Sequence, residues 1–573
     1  MFLPASSEEV RSRGWPAVDV LLVTGDGYVD HPAFGIALIG QWLSAHGFRV
    51  AVLAQPRHDG PQDFLRFRRP RLFAGISAGN LDSVVANYSG NARVRDRDDY
   101  SPGGDPYFPG AASRGNRRRP DRATIRYSQL ARAAWPGLPI VLGGLEASLR
   151  RFVHYDFQQE RLRSSVLADA KADLLVYGMG ERAVLAVAQR LAAGLDLTGI
   201  PGTCERLTDR EQRERPYPVP PLVLPSWEEI AADPGRFLDA EKAVDRQARA
   251  GDDQPLLQRQ QAVWILQHPA SPPLGPEELD ALYGLPYSRV SHPGAGDVPA
   301  FRMIRHSVTI VRGCCGNCSF CAIARHQGPV VTSRSLASVL AEVEAICRQP
   351  DFSGTITDLG GPTANLYGTS CRRPGPCRRR DCLYPRICSH LAIDEERVLA
   401  LLDAVSRRAG VKHLFVSSGL RMELLLRTPR LLARILEQHL PGALKIAPEH
   451  TEPEVLRLMH KPGAEVLEAF LATCRRLNGG RLPPLTPYLI ASHPGCTQAH
   501  MEALATRLRG LGLAPRQFQD FTPTPGTIAT AMYVSGRGRD RGQPIHVARR
   551  RAERQAQRAV LEALRPCPGR AGP

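Results

Sequence analysis

The sequence predicts an α/β protein made of two parallel α/β units in succession, an open-sheet domain and then an open or partial (β/α) barrel. Three observations carry that prediction. Short runs rich in Val, Ile and Leu alternate with stretches of helical periodicity over the first third of the chain. The same alternation resumes at His306 and makes six strand–helix steps. Between them, from Cys204 to Pro299, strings such as "RPYPVPPLVLP" and "HPASPPLGPEE" interrupt short helical pieces, the composition of a linker or bridging region. A chain of 573 residues is also too long for one core. The expected domains are 1–203, 204–299, 300–536 and a basic tail over 537–573.

Each element has its own warrant. "VDVLLVTG", "RVAVLAQP", "RLFAGISAG", "LPIVLGGLEAS" and "ADLLVYGMGER" are continuous apolar runs ending in glycine or another small residue, as expected of strands buried on both faces. "GIALIGQWLSAHGF" between the first two repeats its apolar residues at helical spacing. The polar segment from Asn91 to Arg122, with "RGNRRRPDR", is expected as an exposed, partly mobile loop. In the second unit the strands are "HSVTIVRG", "GTITDLGG", "HLFVSSG", "ALKIAPEH", "TPYLIASHPG" and "RQFQDFTPTP". Helical stretches such as "SLASVLAEVEAICR" and "PRLLARILEQHL" separate them. The tail, with one helical segment "RRRAERQAQRAVLEAL", is expected as an appendage.

Composition narrows the function classes. Hydrophobic content of 43% and charged content of 23% are those of an ordinary globular protein. Glu8 and Glu9 stand where a signal peptide needs an apolar stretch, and no run approaches a membrane span. A cytoplasmic protein with no membrane partner is expected. The net charge of +17 leaves nucleic acid open as a partner. The chain has only five lysines among its 74 basic residues, which points to a compositional bias as much as to phosphate contacts.

The chemistry-bearing motif is "VRGCCGNCSFCAIARHQG", placed directly after the first barrel strand. Cys314, Cys318 and Cys321 form a C-x3-C-x2-C frame, with Cys315 left over. Clustered cysteines in a reducing compartment point to metal or redox chemistry. Three thiolates on a tight loop bind three irons of a four-iron cubane and leave the fourth open to a ligand, where an electron carrier has four cysteines. Zinc is the weaker reading, since three cysteines do not close a structural site, although His326 follows nearby.

With Phe320 directly before its last cysteine, "CCGNCSFC" resembles the signature of the radical S-adenosylmethionine (SAM) enzymes. "LVTGDGYVDHPAFG", "LGGLEASLRR", "DLGGPTANLYG", "LKIAPEHTEPEVLRLMHKPG" and "ASHPGCT" are similar to strings of the YgiQ-type (UPF0313) radical SAM family, from near Glu8 to about Gly536. The resemblance implies a Rossmann-like (cobalamin-binding-type) N-terminal domain followed by a radical SAM partial (β/α)6 barrel. It implies that Cys314, Cys318 and Cys321 hold a [4Fe-4S] cluster whose open iron binds SAM. One electron then cleaves the sulfonium and yields a 5′-deoxyadenosyl radical acting on an unknown substrate. Phe320 would lie near the adenine, and Gly360 and Gly361 would admit the methionine amino group. Pro362 and Thr363 replace the glutamate common in such enzymes. Ser417, Arg421, Glu449 and Ser492, at later strand ends, are candidates for ribose or carboxylate contacts. A low-potential electron donor such as flavodoxin or ferredoxin is implied.

Two further strings bear on cofactors. "CRRPGPCRRRDCLYPRIC" sets Cys371, Cys377, Cys382 and Cys388 in C-x5-C-x4-C-x5-C spacing, a candidate second iron–sulfur cluster or zinc site within the insert 371–388. Its six arginines would offset thiolate charge or serve a polyanionic substrate. In "VDHPAFG", Asp30 and His31 are adjacent, which departs from the D-x-H-x-x-G loop of cobalt-ligating domains; His31 is expected as a turn or pocket residue and cobalamin is not expected. The alternative function is a non-catalytic iron–sulfur or zinc protein that binds RNA through its arginine-rich surface.

Overall fold

The computed structural model describes residues 2–250, 253–373, 377, 379 and 381–565. Arg378 and Arg380 of the insert and residues 566–573 of the tail lie outside the described residues. The chain divides into two compact units. The first comprises Met1–Pro273, Ala281–Arg305 and Thr524–Gly526; the second comprises Leu274–Asp280, His306–Pro523 and Thr527–Pro573.

The first unit is built on a nine-stranded sheet of β1 (Val20–Thr24), β2 (Val50–Ala54), β3 (Phe73–Ile76), β4 (Ile140–Leu142), β5 (Leu174–Val176), β6 (Thr203–Leu207), β7 (Leu222–Leu224), β8 (Leu256–Gln260) and β9 (Val263–Gln267). The strand order is β2-β1-β3-β4-β5-β6-β9-β8-β7. The first five strands pair in parallel, a doubly wound order whose topological switch point lies between β1 and β3. All five residues of β1 are buried because alternate side chains enter two different cores. Leu21 and Val23 pack with Tyr127, Leu130 and Ala131 of α2 (Ala123–Ala134). Val20 and Leu22 pack with Ala37 and Leu43 of α1 (Gly35–Ala45) and Val184 and Val187 of α3 (Glu181–Ala192).

Two expectations need correction here. The segment expected as a linker over 204–299 instead supplies β6 to β9, joined to β5 through antiparallel pairing. Its prolines sit at the ends of short strands, where no ladder hydrogen bond is lost. The loop expected to be exposed carries three buried arginines, Arg117, Arg119 and Arg122. Arg119 is fully buried; its Nη2 lies 2.5 Å from Asp26 and 3.3 Å from Asp98, and its Nε donates to the Gly25 carbonyl. Arg122 pairs with Asp156 at 2.8 Å. Buried carboxylates at the strand ends draw these cations inward. Arg119 thus lies against the end of β1, and Asp26 also accepts from the Asn80 N–H beyond β3.

The second unit is a partial barrel. Its strands are β10 (Ser307–Thr309), β11 (Thr355–Ile356 continuing as Asp358–Gly360), β12 (His413–Leu414), β13 (Leu444–Glu449), β14 (Leu485–Ala491) and β15 (Gln517–Asp520). Parallel pairing runs in sequence order from β10 to β11, β11 to β12 and through β13, β14 and β15. A parallel bridge from Leu420 to Ile446 continues it between β12 and β13. The helices are α4 (Leu336–Cys347), α5 (Glu395–Ser406), α6 (Pro429–Gln438), α7 (Ala464–Leu477) and α8 (Gln498–Leu511). Ser335, Asp394 and Thr497 cap three of them by accepting backbone N–H bonds in the first turn. The tail helix α9 (Arg551–Glu562) packs on α8 and β14. Its Gln557 is buried, accepts from the Ser492 N–H and donates to the Cys496 carbonyl. The expected appendage is therefore part of the barrel unit. Among the described residues no helix is long and apolar enough to cross a membrane.

Candidate metal and cofactor site

The cysteine loop follows β10 and is pinned residue by residue. Gly313 has φ +81°, and a Cβ there would come within 1.8 Å of the Val330 carbonyl oxygen, so only glycine fits. The Cys314 N–H donates to the Gly328 carbonyl at 3.1 Å, and that of Ser319 to Met459 at 2.9 Å. Asn317 donates to Asp381 at 3.1 Å. The Cys321 N–H closes a turn onto the Cys318 carbonyl at 3.1 Å. The loop carrying Cys314, Cys318 and Cys321 is thereby fixed just after the first barrel strand, the end at which this architecture places its chemistry.

The electrostatics of the loop suit a thiolate-bound cluster. Arg421, half-buried after β12, places Nη1 3.8 Å from the Cys318 sulfur while its Nε donates to Glu423 at 2.7 Å. Burial opposes its charge, but Glu423 and the Cys318 and Cys314 sulfurs hold the guanidinium protonated. A Cβ on Gly316 would come within 2.9 Å of Arg421 Nη1, so the glycine between the cysteines lets the cation reach the loop. Burial, with Cys318 and Cys314 nearby, pushes the Cys321 thiol up to about 12. Among the described residues no group of His, Cys, Asp or Glu is gathered to hold a single metal ion.

The left-over cysteine has a partner that its neighbours in sequence do not reveal. The buried Cys315 thiol is hydrogen-bonded to the Cys382 side chain, which, ahead of burial and Cys314, raises it far above its ordinary range. The Cys382 N–H donates to the Cys315 carbonyl at 3.0 Å, and the Cys388 N–H to the Cys382 carbonyl at 2.8 Å. Cys371 is exposed on a short ladder with Leu391, and the Cys377 sulfur faces the Arg379 carbonyl. Among the described residues the four cysteines of the second run do not form a group that could hold one ion.

The other predicted residues fall on strand ends with unequal freedom. Glu449 closes β13 with φ +67° and is buried; burial raises its carboxyl, opposed by Lys461 and Arg421, and its carboxylate accepts no hydrogen bond among the described residues. Ser492 follows β14 with φ +63°, and its Oγ is buried without a hydrogen-bond partner. Both residues thus close successive barrel strands in left-handed backbone, a conformation that stores strain in a non-glycine residue. Ser417 is spent, donating from N to Asp358 and from Oγ to the Thr357 carbonyl. A Cβ on Gly360 would meet Asp358 Oδ2 at 2.1 Å and Ser418 Oγ at 2.2 Å, and one on Gly361 would meet the Val311 carbonyl oxygen at 2.6 Å. At both glycines, then, the protein itself makes the close approach. Phe320 packs edge-on against His493, with ring centroids 6.1 Å apart.

His493 and His450 were not singled out by the sequence. Burial lowers both to about 3, with His500 and His493 adding to the effect at His450. His493 donates from Nδ1 to the Pro494 carbonyl and accepts from Ser319 Oγ at Nε2. His450 accepts from the Glu452 N–H at Nδ1 and has Nε2 3.5 Å from the Cys496 sulfur. Bases with depressed folded values bind fewer protons than in the unfolded chain. Their stability contribution is therefore complete above pH about 6.5 and falls as pH drops toward 3, by up to about 1.4 kcal/mol per pH unit per histidine. Urea unfolding from pH 4.5 to 7.5 is expected to show that slope, reduced in His493→Gln; a flat profile refutes it.

In the first unit, His31 accepts from the Ala33 N–H at Nδ1 and has Nε2 2.9 Å from Arg289. Asp30 is fully buried and accepts from Gln41 and the Ser288 N–H.

The comparisons follow from this geometry. Residues 2–307 match the radical SAM N-terminal model and residues 308–508 the radical SAM superfamily model. A UPF0313 protein of Geobacter sulfurreducens is 44% identical over 589 residues, covering 99% of this chain and 95% of its own. The chain is a member of the UPF0313 radical SAM family. A Thermotoga maritima UPF0313 protein is likewise 44% identical, covering 96% of each chain. A member from Methanosarcina acetivorans is 41% identical over 99% of this chain and 79% of its own. Among solved structures, the radical SAM methyltransferase TsrM from Kitasatospora setae, with cobalamin and a [4Fe-4S] cluster bound, superposes with a TM-score of 0.51 at 17% identity. The match covers 89% of this chain and 74% of TsrM. That likeness shows the fold. The family's fold is thus a Rossmann-like N-terminal domain and a partial barrel, as expected.

Proposed function

We propose that this UPF0313 protein is a radical SAM enzyme in which Cys314, Cys318 and Cys321 hold a [4Fe-4S] cluster open at one iron. Those three cysteines would hold the cluster, which when reduced by one electron would supply the chemistry of reductive SAM cleavage to methionine and a hydrogen-abstracting 5′-deoxyadenosyl group. The observation that carries the reading is the placement of three thiols on one pinned loop with the fourth, Cys315, turned to Cys382. Arg421 sets a permanent positive charge against the Cys318 sulfur. Glu449, beside Lys461 and Arg421, and Ser492, whose Oγ has no hydrogen-bond partner, stand at successive strand ends for the ribose or amino acid portion of SAM. Phe320 borders the adenine side, and Gly360 and Gly361 let β11 and the residue after it pack against Asp358, Ser418 and Val311 beside the methionyl end. A flavodoxin- or ferredoxin-type donor delivers the electron. Protein partners hold both ring nitrogens of His31, so His31 is not assigned as a cobalt ligand.

The test is anaerobic reconstitution with iron and sulfide, reduction, and assay for 5′-deoxyadenosine. A loaded four-iron protein that never cleaves SAM, where a known radical SAM enzyme does, refutes the proposal. A separate prediction concerns Arg421. Removing a cation beside a ligating sulfur makes adding an electron harder, so Arg421→Met is expected to lower the cluster potential. An EPR-monitored redox titration checks this; an unchanged or raised potential assigns Arg421 a packing role only.

A further inference from the structure

Within the barrel unit a cavity of about 630 Å³ opens beside the cysteine loop. Its walls come from three places: the cysteine-rich insert, the end of the helix Pro453–Met459, and Asp540 with Arg541 from the tail. His460 ends that helix in left-handed conformation, φ +53°, and its ring stacks on Tyr384 with centroids 4.3 Å apart. Four arginines line the cavity against two aspartates. Arg457 is matched to Asp540 at 2.8 Å. Arg379 donates to the backbone carbonyls of Asp381, Tyr384 and Arg386. Asp381 is occupied by N–H groups of Asn317, Leu383 and Tyr384. Arg386 and Arg541 remain as exposed guanidiniums that make no ion pair or side-chain hydrogen bond among the described residues.

The same wall holds the loop. Asp381 accepts from the Asn317 N–H, and Arg539 donates to the Asn317 carbonyl at 3.3 Å, between Cys314 and Cys318. A ligand in this cavity therefore lies next to the peptide that carries two of the three frame thiols.

We propose that this cavity binds a phosphate-bearing small molecule, its anionic group on Arg386 and Arg541 and its planar part against the Tyr384–His460 stack. Guanidinium forks match phosphate oxygens in bidentate geometry, and the volume is that of a small-molecule site. Two unmatched cations that share one open pocket with the Tyr384–His460 stack, as opposed to a basic stripe, favour a small anion over a polynucleotide. That the anion is the enzyme's substrate rests on the radical SAM reading; that it binds does not.

The experiment measures pyrophosphate binding to the full reconstituted chain by calorimetry at low ionic strength, without SAM. Saturable one-site binding is expected, weakened about tenfold by Arg386→Ala and by Arg541→Ala and unchanged by Arg481→Ala, an exposed arginine elsewhere. Absence of saturable binding, or equal affinity in wild type and both pocket variants, overturns the proposal. Binding of a short single-stranded RNA that pyrophosphate does not displace also overturns it, in favour of a polynucleotide surface. Wild-type protein that binds pyrophosphate yet never forms 5′-deoxyadenosine leaves the anion site standing and removes only its role as a substrate site.

Discussion

Replacing Cys314, Cys318 and Cys321 with alanine is expected to reduce 5′-deoxyadenosine formation to background and iron content from about four per chain to near zero. The loop is pinned by backbone bonds from Cys314, Asn317 and Ser319 that need no sulfur, so the variant is expected to fold. Circular dichroism matching wild type would establish that the loss is chemical. Replacing Cys315 alone is expected to leave iron loading intact, because its thiol is turned to Cys382. Iron content by colorimetry and a cluster EPR signal decide both. Full loading in the triple variant would move the cluster elsewhere; loss of loading in Cys315→Ala would make Cys315 a ligand.

Arg119→Met is expected to destabilise the first unit by about 3–5 kcal/mol, the cost of leaving buried carboxylates without their cation. Arg119 is fully buried, with Asp26 and Asp98 both within ion-pair distance. Burial already raises Asp26 to about 6, against the pull of Arg119. A carboxyl raised in the folded state favours folding below its unfolded value of 3.8, and that advantage is lost as pH rises through about 6. Without Arg119 the carboxyl rises further, so the deficit is expected to be larger at pH 8 than at pH 5. Asp26→Asn added to Arg119→Met is expected to restore part of the loss by removing the unpaired charge. Urea unfolding read by pulse proteolysis at both pH values checks this. An Arg119→Met protein as stable as wild type would mean that water reaches the pair.

Much of this was legible before any fold was known. The strands β1 to β5 lie within the apolar runs that announce them, because a strand buried on both faces must be continuously apolar. Strands β10 to β15 fall on the expected runs to within a residue, although β15 is a polar strand with no buried residue. Cys314, Cys318 and Cys321 are legible as a motif because their spacing is local and falls on one short loop. The errors share one cause, which is that the deciding partner is distant in the chain. Prolines at 215–225 suggested a linker, yet the pairing of Leu256–Gln260 with Leu222–Leu224 builds a sheet edge. "RGNRRRPDR" suggested a solvated loop, yet Asp26, Asp98 and Asp156 draw its arginines inside.

The sequence by itself therefore determined the two α/β units, the order of strands within each run, and the three-thiol frame. Only tertiary structure decided that Cys315 belongs with Cys382, that Arg421 reaches the Cys318 sulfur, that the Ser492 hydroxyl stays unpaired while that of Ser417 does not, and that the tail closes on the barrel through Gln557. Periodicity and close spacing are properties of neighbouring residues and can be read along the chain. Charge pairing and the satisfaction of buried polar groups depend on which distant residues the fold brings within hydrogen-bond distance.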